Sequence, residues 1–195
     1  YLFIFFILGL LIRLHLIEMP GTIDLELWST FIEALDKFNN VSFLYIPGVE
    51  NIKSFADYNL PVMYPPGFVY ILYFFNKINN LFFQLEYNYL FKLILIFFEL
   101  IIFLVLSYIY NNKVKEIIIF FWLNPVIILC GSAHGYIDII PYSFLLFSIL
   151  LILNQKFVLF SIFFIASCSV KQLGLIVLPI YLIYFLKKKN LSYNL

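Results

Sequence analysis

Four polar side chains interrupt one apolar run of the sequence at a single point. Residues 122–141 read WLNPVIILCGSAHGYIDIIP, and the interruption supplies Ser132, His134, Tyr136 and Asp138. Charged groups near a hydrocarbon layer cost free energy, so they are candidates for binding or catalysis. If the segment is helical, His134 and Asp138 share one face and could orient a polar ligand or hold a divalent cation. A pair of ligands is too few to predict a metal site, and a histidine that only makes hydrogen bonds is the alternative.

A second polar interruption divides the last apolar run, which covers residues 157–186. That run is about 30 residues long, whereas one helix needs roughly 20 to cross a bilayer. The sequence SVKQLG at residues 169–174 places Lys171 and Gln172 near its middle. We therefore predict two short helices that meet at Lys171.

A third polar residue, Asp24, lies in the sequence MPGTIDLELWSTFIEALDKF. The spacing predicts a helix over about residues 23–38 that lies along the membrane, with Thr22 as its N-cap. Its predicted apolar positions are Ile23, Leu27, Phe31, Ala34, Leu35 and Phe38. At this register Asp24 lies within the apolar sector, so its carboxylate either points into a protein cavity or complements the helix dipole in the first turn.

The composition restricts the class of protein. Of 195 residues, 64% are hydrophobic and 22% aromatic, and the mean hydropathy is +1.01, which indicates an all-α polytopic membrane protein. The net charge of +1 gives no field that would recruit nucleic acid. Both cysteines fall in apolar runs and form no metal or disulfide pattern. Because the chain starts at Tyr1 within an apolar run, we expect residues 1–195 to be one transmembrane domain, the N-terminal part of a longer protein.

The elements that must position these residues are about six transmembrane helices. They are predicted at residues 1–17, 88–110, 117–131 and 138–153 and in the broken run 157–186. The run GFVYILYFF is too short to cross, so we predict a re-entrant segment at about residues 66–76. The later lysines then share a cytoplasmic face, and the loop of residues 18–87 lies outside with all three polar groups.

Three further residues are candidates for the site, namely Tyr64, Arg13 and Lys92. Tyr64 opens the sequence YPPG, which is either a simple elbow before the next apolar run or a contact with a substrate. Arg13, toward the outer end of the first span, and Lys92 are additional cations. Lys92 and Glu99, seven residues apart on one helix face, are also expected to be structural partners inside the bundle.

The order of these motifs resembles bacterial members of the GT-C superfamily. These are multi-spanning glycosyltransferases that use polyprenyl-phosphate sugars, and they include dolichyl-phosphate-mannose mannosyltransferase-like proteins. The resemblance rests on Asp24 in a long first outer loop, on YPPG, on the NP helix that leads into SAHGYID, and on VKQLGLIVLP, and it covers about residues 13–179. Tyr136 stands where glutamine is common in bacterial relatives.

The resemblance implies a GT-C-like helical bundle that transfers a mannose-like hexose from a polyprenyl-phosphate donor to a lipid, glycan or protein acceptor. It implies that Asp24 is the catalytic base and that Lys171 faces the donor phosphate. The remaining substrate-binding candidates are Gln172, His134, Asp138, Tyr64 and Arg13. No cofactor is implied, although a divalent cation stays open. The expected location is a bacterial cytoplasmic membrane with the active site outside, and the alternative is an endoplasmic reticulum membrane facing the lumen.

Other membrane proteins share some of these features. A secondary transporter or a flippase for lipid-linked sugars would also have broken helices and intramembrane charges. Against a transporter, the polar groups gather near one face and no inverted repeat is visible. A purely structural subunit gives no reason for Asp24 in an apolar sector. The composition excludes a soluble nucleotide-sugar enzyme, and the sequence has no glycine-rich phosphate loop.

Overall fold

The computed structural model describes residues 1–22, 25, 28, 29, 31, 32 and 65–192, apart from the side chains of residues 173 and 187–192. Within these residues the regular structure is entirely helical, which confirms the predicted all-α fold. The α-helices are α1 (Leu2–Leu16), α2 (Pro66–Phe82), α3 (Tyr87–Ile109), α4 (Val114–Ile117), α5 (Pro125–Ile128), α6 (Ile139–Leu153), α7 (Phe157–Val170) and α8 (Leu178–Ser192).

One described helix, α3, is long and apolar enough to cross a membrane. It has 23 residues and a mean hydropathy of 2.7. A second candidate is the bent pair, which we define as Asn111–Trp122 and Pro125–Ala133, two helical halves that meet at an angle of 53°. The other apolar helices of the described chain have 10–17 residues. By length and composition, the described chain therefore has one helix that could span a membrane, or two if the bent pair is one span.

The bend follows from two adjacent residues between the halves. Pro125 has no N–H for the helical ladder, so the first half cannot continue through it. Asn124 ends the first half, where its Nδ2 donates to the Phe120 carbonyl at 3.0 Å. It also starts the second half, because its Oδ1 accepts from the Val126 N–H at 2.9 Å. A wider, π-helical turn completes each half, Ile118–Trp122 in the first and Leu129–Ala133 in the second.

The main hydrophobic core lies between α2, α3, α6 and the start of the loop that follows α1. The described residues of that loop contribute the buried side chains of Leu25, Trp28, Phe31 and Ile32. The Trp28 ring meets the Phe68 ring of α2 edge-on, with 4.7 Å between centroids. Of the six predicted apolar positions Phe31 is described and is buried, while the others lie outside the described residues, namely Ile23, Leu27, Ala34, Leu35 and Phe38. The buried side chains also include Trp28, which the predicted face did not.

The charged residues of α3 do not pair with each other, contrary to the prediction for Lys92 and Glu99. Lys92 is fully buried, and its Nζ donates to the carbonyls of Ile17, at 3.0 Å, and Met19. These carbonyls follow the last turn of α1, where helix carbonyls have no intrahelical donor. Glu99 instead accepts from Arg13 of α1 at 2.5 Å. Residues seven apart are separated by about two turns, and each side chain therefore finds a nearer partner on α1.

The break at Lys171 is where the sequence predicts it. Helix α7 ends at Val170, Lys171 is extended with φ −153° and ψ 138°, and a 3₁₀ helix, Gln172–Val177, leads into α8. Helix α2 is longer than expected, because it continues to Phe82 beyond the predicted segment 66–76. Its re-entrant character stays a prediction.

We expect Lys92→Met to lower the free energy of unfolding by about 1–3 kcal/mol, because the carbonyls of Ile17 and Met19, just after α1, lose a charged donor. Thermal unfolding of the full chain in detergent measures the change. Lys156→Met is the control, since Lys156 is exposed in the loop between α6 and α7 and its loss should change stability little. Equal stability of the two variants would contradict the account of α1.

Candidate functional site

The turn between the bent pair and α6 contains His134 and Tyr136 and ends at Asp138. Three backbone hydrogen bonds of 2.9 Å hold it: the N–H groups of His134, Gly135 and Tyr136 donate to the carbonyls of Leu129, Gly131 and Cys130. Gly135 has φ +80°, a conformation that glycine adopts without steric cost. The segment is therefore a turn and not the helix that would have placed His134 and Asp138 on one face.

Lys171 and Asp138, predicted to lie in one cavity, form an ion pair in the structure. Lys171 Nζ donates to Asp138 Oδ1, and the two side chains are 30% and 44% exposed. We call this contact the half-exposed pair. It joins the break after α7 to the start of α6, and Ser167 reinforces the junction by donating to the Pro141 carbonyl at 2.8 Å. Because solvent still reaches both groups, a ligand could exchange with either partner.

The other predicted binding residues of this region are exposed. His134 and Gln172 both present their side chains at the surface, and the His134 ring lies 6.4 Å from the ring of Tyr136, which is also exposed. Ser132 is the exception, because it is fully buried and its hydroxyl has no hydrogen-bond partner among the described residues. The surface near the half-exposed pair therefore offers an imidazole and an amide as well as the two charges.

The long loop starts at the same turn. The N–H of Thr22 donates to the His134 carbonyl at 3.0 Å, and the side chain of Leu25 lies against Gly135 so closely that a Cβ there would overlap it. The Thr22 contact could not be predicted from the sequence, since a main-chain hydrogen bond leaves no residue pattern. Asp24 follows Thr22 by two residues in the chain and lies outside the described residues, as does Tyr64.

Arg13 does not join this cluster in the structure. Its side chain is fully buried, and its described partners are Glu99, Gly9 and Trp122. The prediction placed Arg13 near the donor phosphate from its position toward the end of the first span. The structure instead turns the guanidinium inward, where the carboxylate of Glu99 balances its charge.

An apolar groove of about 400 Å³ extends along α6, which begins directly after Asp138. Side chains at helical spacing on α6 line one side of the groove, namely Ile139, Tyr142, Leu145 and Ile149. Ile102 of α3 also lines it. The backbone of Asp138 is already helical, so at 100° per residue Asp138 lies about 40° from Tyr142 and about 20° from Leu145 and Ile149. Asp138 therefore heads the stripe of residues that lines the groove.

This groove has no signature in the sequence. Its α6 residues are apolar like nearly every other residue of the helix, so no contrast marks one face. No group of three His, Cys, Asp or Glu side chains suited to a metal ion occurs in the described part of the chain. The described site therefore combines one ion pair, an exposed imidazole and amide, and an apolar groove.

Comparison with protein-family models, with curated proteins and with solved structures finds no match to this chain.

We expect Gly135→Ala to lower the free energy of unfolding by about 1–2 kcal/mol, because alanine disfavours positive φ. Gly135→Asn is the matched variant, since asparagine tolerates this region of φ better and should cost less. Thermal unfolding in detergent compares the two. Equal losses would contradict a conformational cause and would assign the effect to the side chain of Leu25.

Proposed function

We propose that the chain is a GT-C-type glycosyltransferase that moves a hexose from a polyprenyl-phosphate sugar to an acceptor. The observation that carries the proposal is the half-exposed pair at the head of the apolar groove. A lipid-linked sugar has a hydrocarbon chain, an anionic phosphate and a hydroxyl-rich head in linear order. Asp138, the partner of Lys171, directly precedes Ile139 of the groove, so a charged and an apolar binding surface adjoin.

The groove would take the first isoprene units of the donor. Its walls near Tyr142 and Ile149 are apolar and open to the surface of the bundle, so a chain could enter sideways from a bilayer. The donor phosphate would then lie next to Asp138 and compete with its carboxylate for Lys171. An ammonium is a compact charge that suits a phosphate oxygen, and here the charge is already held in place.

The reaction replaces one bond to the anomeric carbon with another. The acceptor oxygen bonds to that carbon while the bond from the carbon to the phosphate oxygen breaks, and the electron pair leaves with the phosphate. Lys171 balances the negative charge that grows on the phosphate. Asp24 accepts the proton of the acceptor hydroxyl. Its assignment rests on the resemblance and on its place in the sequence, just after the Thr22 contact with His134.

The remaining polar groups have binding roles in this proposal. His134, Gln172 and the carboxylate of Asp138 hydrogen-bond the hydroxyls of the sugar, and Tyr64 contacts the substrate from the outer loop. Arg13 has no direct contact with the donor, because it is buried against Glu99. The acceptor is a lipid, a glycan or a protein.

The proposed topology has six crossings in a bacterial cytoplasmic membrane with the site outside. An endoplasmic reticulum membrane, with the site facing the lumen, is the eukaryotic counterpart. Helices α1, α6 and α7 have 14–15 residues and would rise about 21–23 Å, so they require local thinning of the bilayer or extended ends. The lysines at positions 113, 115 and 156 would then face the cytoplasm.

A secondary transporter or lipid-linked sugar flippase is the second candidate. The described chain has two interruptions of the helical type that transporters use, one at Asn124 and Pro125 and one at Lys171. The half-exposed pair favours the transferase, because transporters bind substrates at buried sites near the middle of the membrane.

The test is sugar transfer from radiolabelled polyprenyl-phosphate sugars in membranes that contain the full chain. We expect transfer by the parent and a loss of about 100-fold or more in Lys171→Met and in Asp24→Asn. Lys171→Arg and Asp36→Asn are the matched controls, since the first retains the charge and the second removes a different carboxylate of the helix predicted over residues 23–38.

Each outcome has a separate meaning. Transfer that survives in Asp24→Asn would keep the enzyme class and return Asp24 to its role at the helix dipole. Transfer that survives in Lys171→Met would show that the donor phosphate does not bind at the half-exposed pair. Absence of transfer from every donor would contradict the proposal and favour the transporter.

A further inference from the structure

We propose that Arg13 and Glu99 are positioning residues that set the angle of the bent pair and, through it, the geometry of the half-exposed pair. This inference rests on the proposed function, because it gives the buried charges a role in that reaction. Both side chains are fully buried, with 2.5 Å between Arg13 Nε and Glu99 Oε2. We call this contact the buried pair.

The buried pair contacts the first half of the bend at its last residue. Arg13 Nη1 donates to the Trp122 carbonyl at 2.7 Å, and the guanidinium lies over the Trp122 ring at 4.0 Å from its centroid. The same nitrogen donates to the Gly9 carbonyl of α1 at 3.0 Å. Trp122 in turn donates its indole N–H to the Phe6 carbonyl at 2.8 Å. The end of the first half is therefore fixed to α1 through one arginine and one tryptophan.

The buried pair contacts the second half at Gly131. A Cβ built at this residue would overlap Glu99 Oε1, so only glycine lets the helix approach the carboxylate this closely. Gly131 also accepts a hydrogen bond from the Gly135 N–H at 2.9 Å. The contact path thus runs from Glu99 through Gly131 to the turn that ends at Asp138.

The physics of buried charges favours a geometric role over a purely stabilising one. A buried ion pair often contributes no more stability than apolar residues of similar volume, because both charges lose their hydration. Arg13 Nη2 and Glu99 Oε1 also lack hydrogen-bond partners among the described residues, which adds to that cost. Apolar residues cannot replace the hydrogen bond from Arg13 that holds the Trp122 carbonyl. They also cannot replace the close contact between Glu99 and Gly131.

One double variant separates the effect on stability from the effect on geometry. In Arg13→Met/Glu99→Leu, apolar side chains of similar volume replace both charges, so the chain should fold with nearly the parent unfolding temperature. The turn should no longer be held at one angle. We would report the geometry with Asp138→Cys and Lys171→Cys, joined by a methanethiosulfonate cross-linker of short fixed span, in a background of Cys130→Ser and Cys168→Ser.

We expect the cross-linking rate to fall about tenfold in Arg13→Met/Glu99→Leu at a nearly unchanged unfolding temperature. Tyr181→Phe is the matched control. It removes the buried contact of Tyr181 with Ser148, at 3.0 Å, and leaves the bent pair untouched, so its cross-linking should equal the parent rate. Parent-like cross-linking in the double variant would overturn the inference.

If the double variant does not fold, the cross-linking rate of Gly131→Ala tests the inference instead. It retains both charges, yet its methyl group would displace the Glu99 carboxylate or the turn, so the inference requires slower cross-linking. An unchanged rate in Gly131→Ala would overturn it. Cross-linking needs neither donor nor transfer, so a failure here leaves the proposed function standing, and a failure of the transfer assay leaves this result standing.

Discussion

A buried ion pair in an apolar bundle is the constraint on which the described structure depends. Arg13 and Glu99 are each fully buried, and a charge of either sign left alone there would be strongly destabilising. Helices α1 and α3 must therefore lie at the one separation that brings the two groups together. The same pair contacts Trp122 and Gly131, one residue in each half of the bend that Asn124 and Pro125 introduce. Lys92 adds a second fixed point, because it holds the chain that leaves α1.

The half-exposed pair is the contrasting contact. Lys171 and Asp138 meet where two helices are interrupted, and solvent reaches both. A buried charge pair resists exchange, whereas an exposed one costs little to open because water replaces the lost contact. The bundle thus contains one ion pair suited to hold helices and another suited to exchange partners with a ligand. Together with the apolar groove that follows Asp138 along α6, this exposed ion pair is suited to an amphiphilic ligand.

The sequence predicted the all-helical fold and one of the two interruptions, since these depend on local chemistry. Apolar runs indicated helices, and the polar sequence around Lys171 placed the later break. The bend at Asn124 and Pro125 was not predicted, because residues 117–131 were expected to form one span. The sequence did not predict the partners of the buried charges. Lys92 and Glu99 share a helix face, yet both bind α1, which no spacing rule can indicate. Trp28 was missed for a similar reason, because its burial depends on Phe68 of a distant helix.

Sidedness is the central claim, because the proposed chemistry requires His134 and Gln172 on one face and the lysine-rich loops on the other. Labelling of single cysteines in intact cells with a membrane-impermeant maleimide tests it, with His134→Cys, Gln172→Cys, Lys115→Cys and Lys156→Cys in a background of Cys130→Ser and Cys168→Ser. All four positions are exposed. We predict that the first two react in intact cells and that the last two react only after the membrane is opened. Reaction of His134→Cys and Lys156→Cys from the same side would contradict the account.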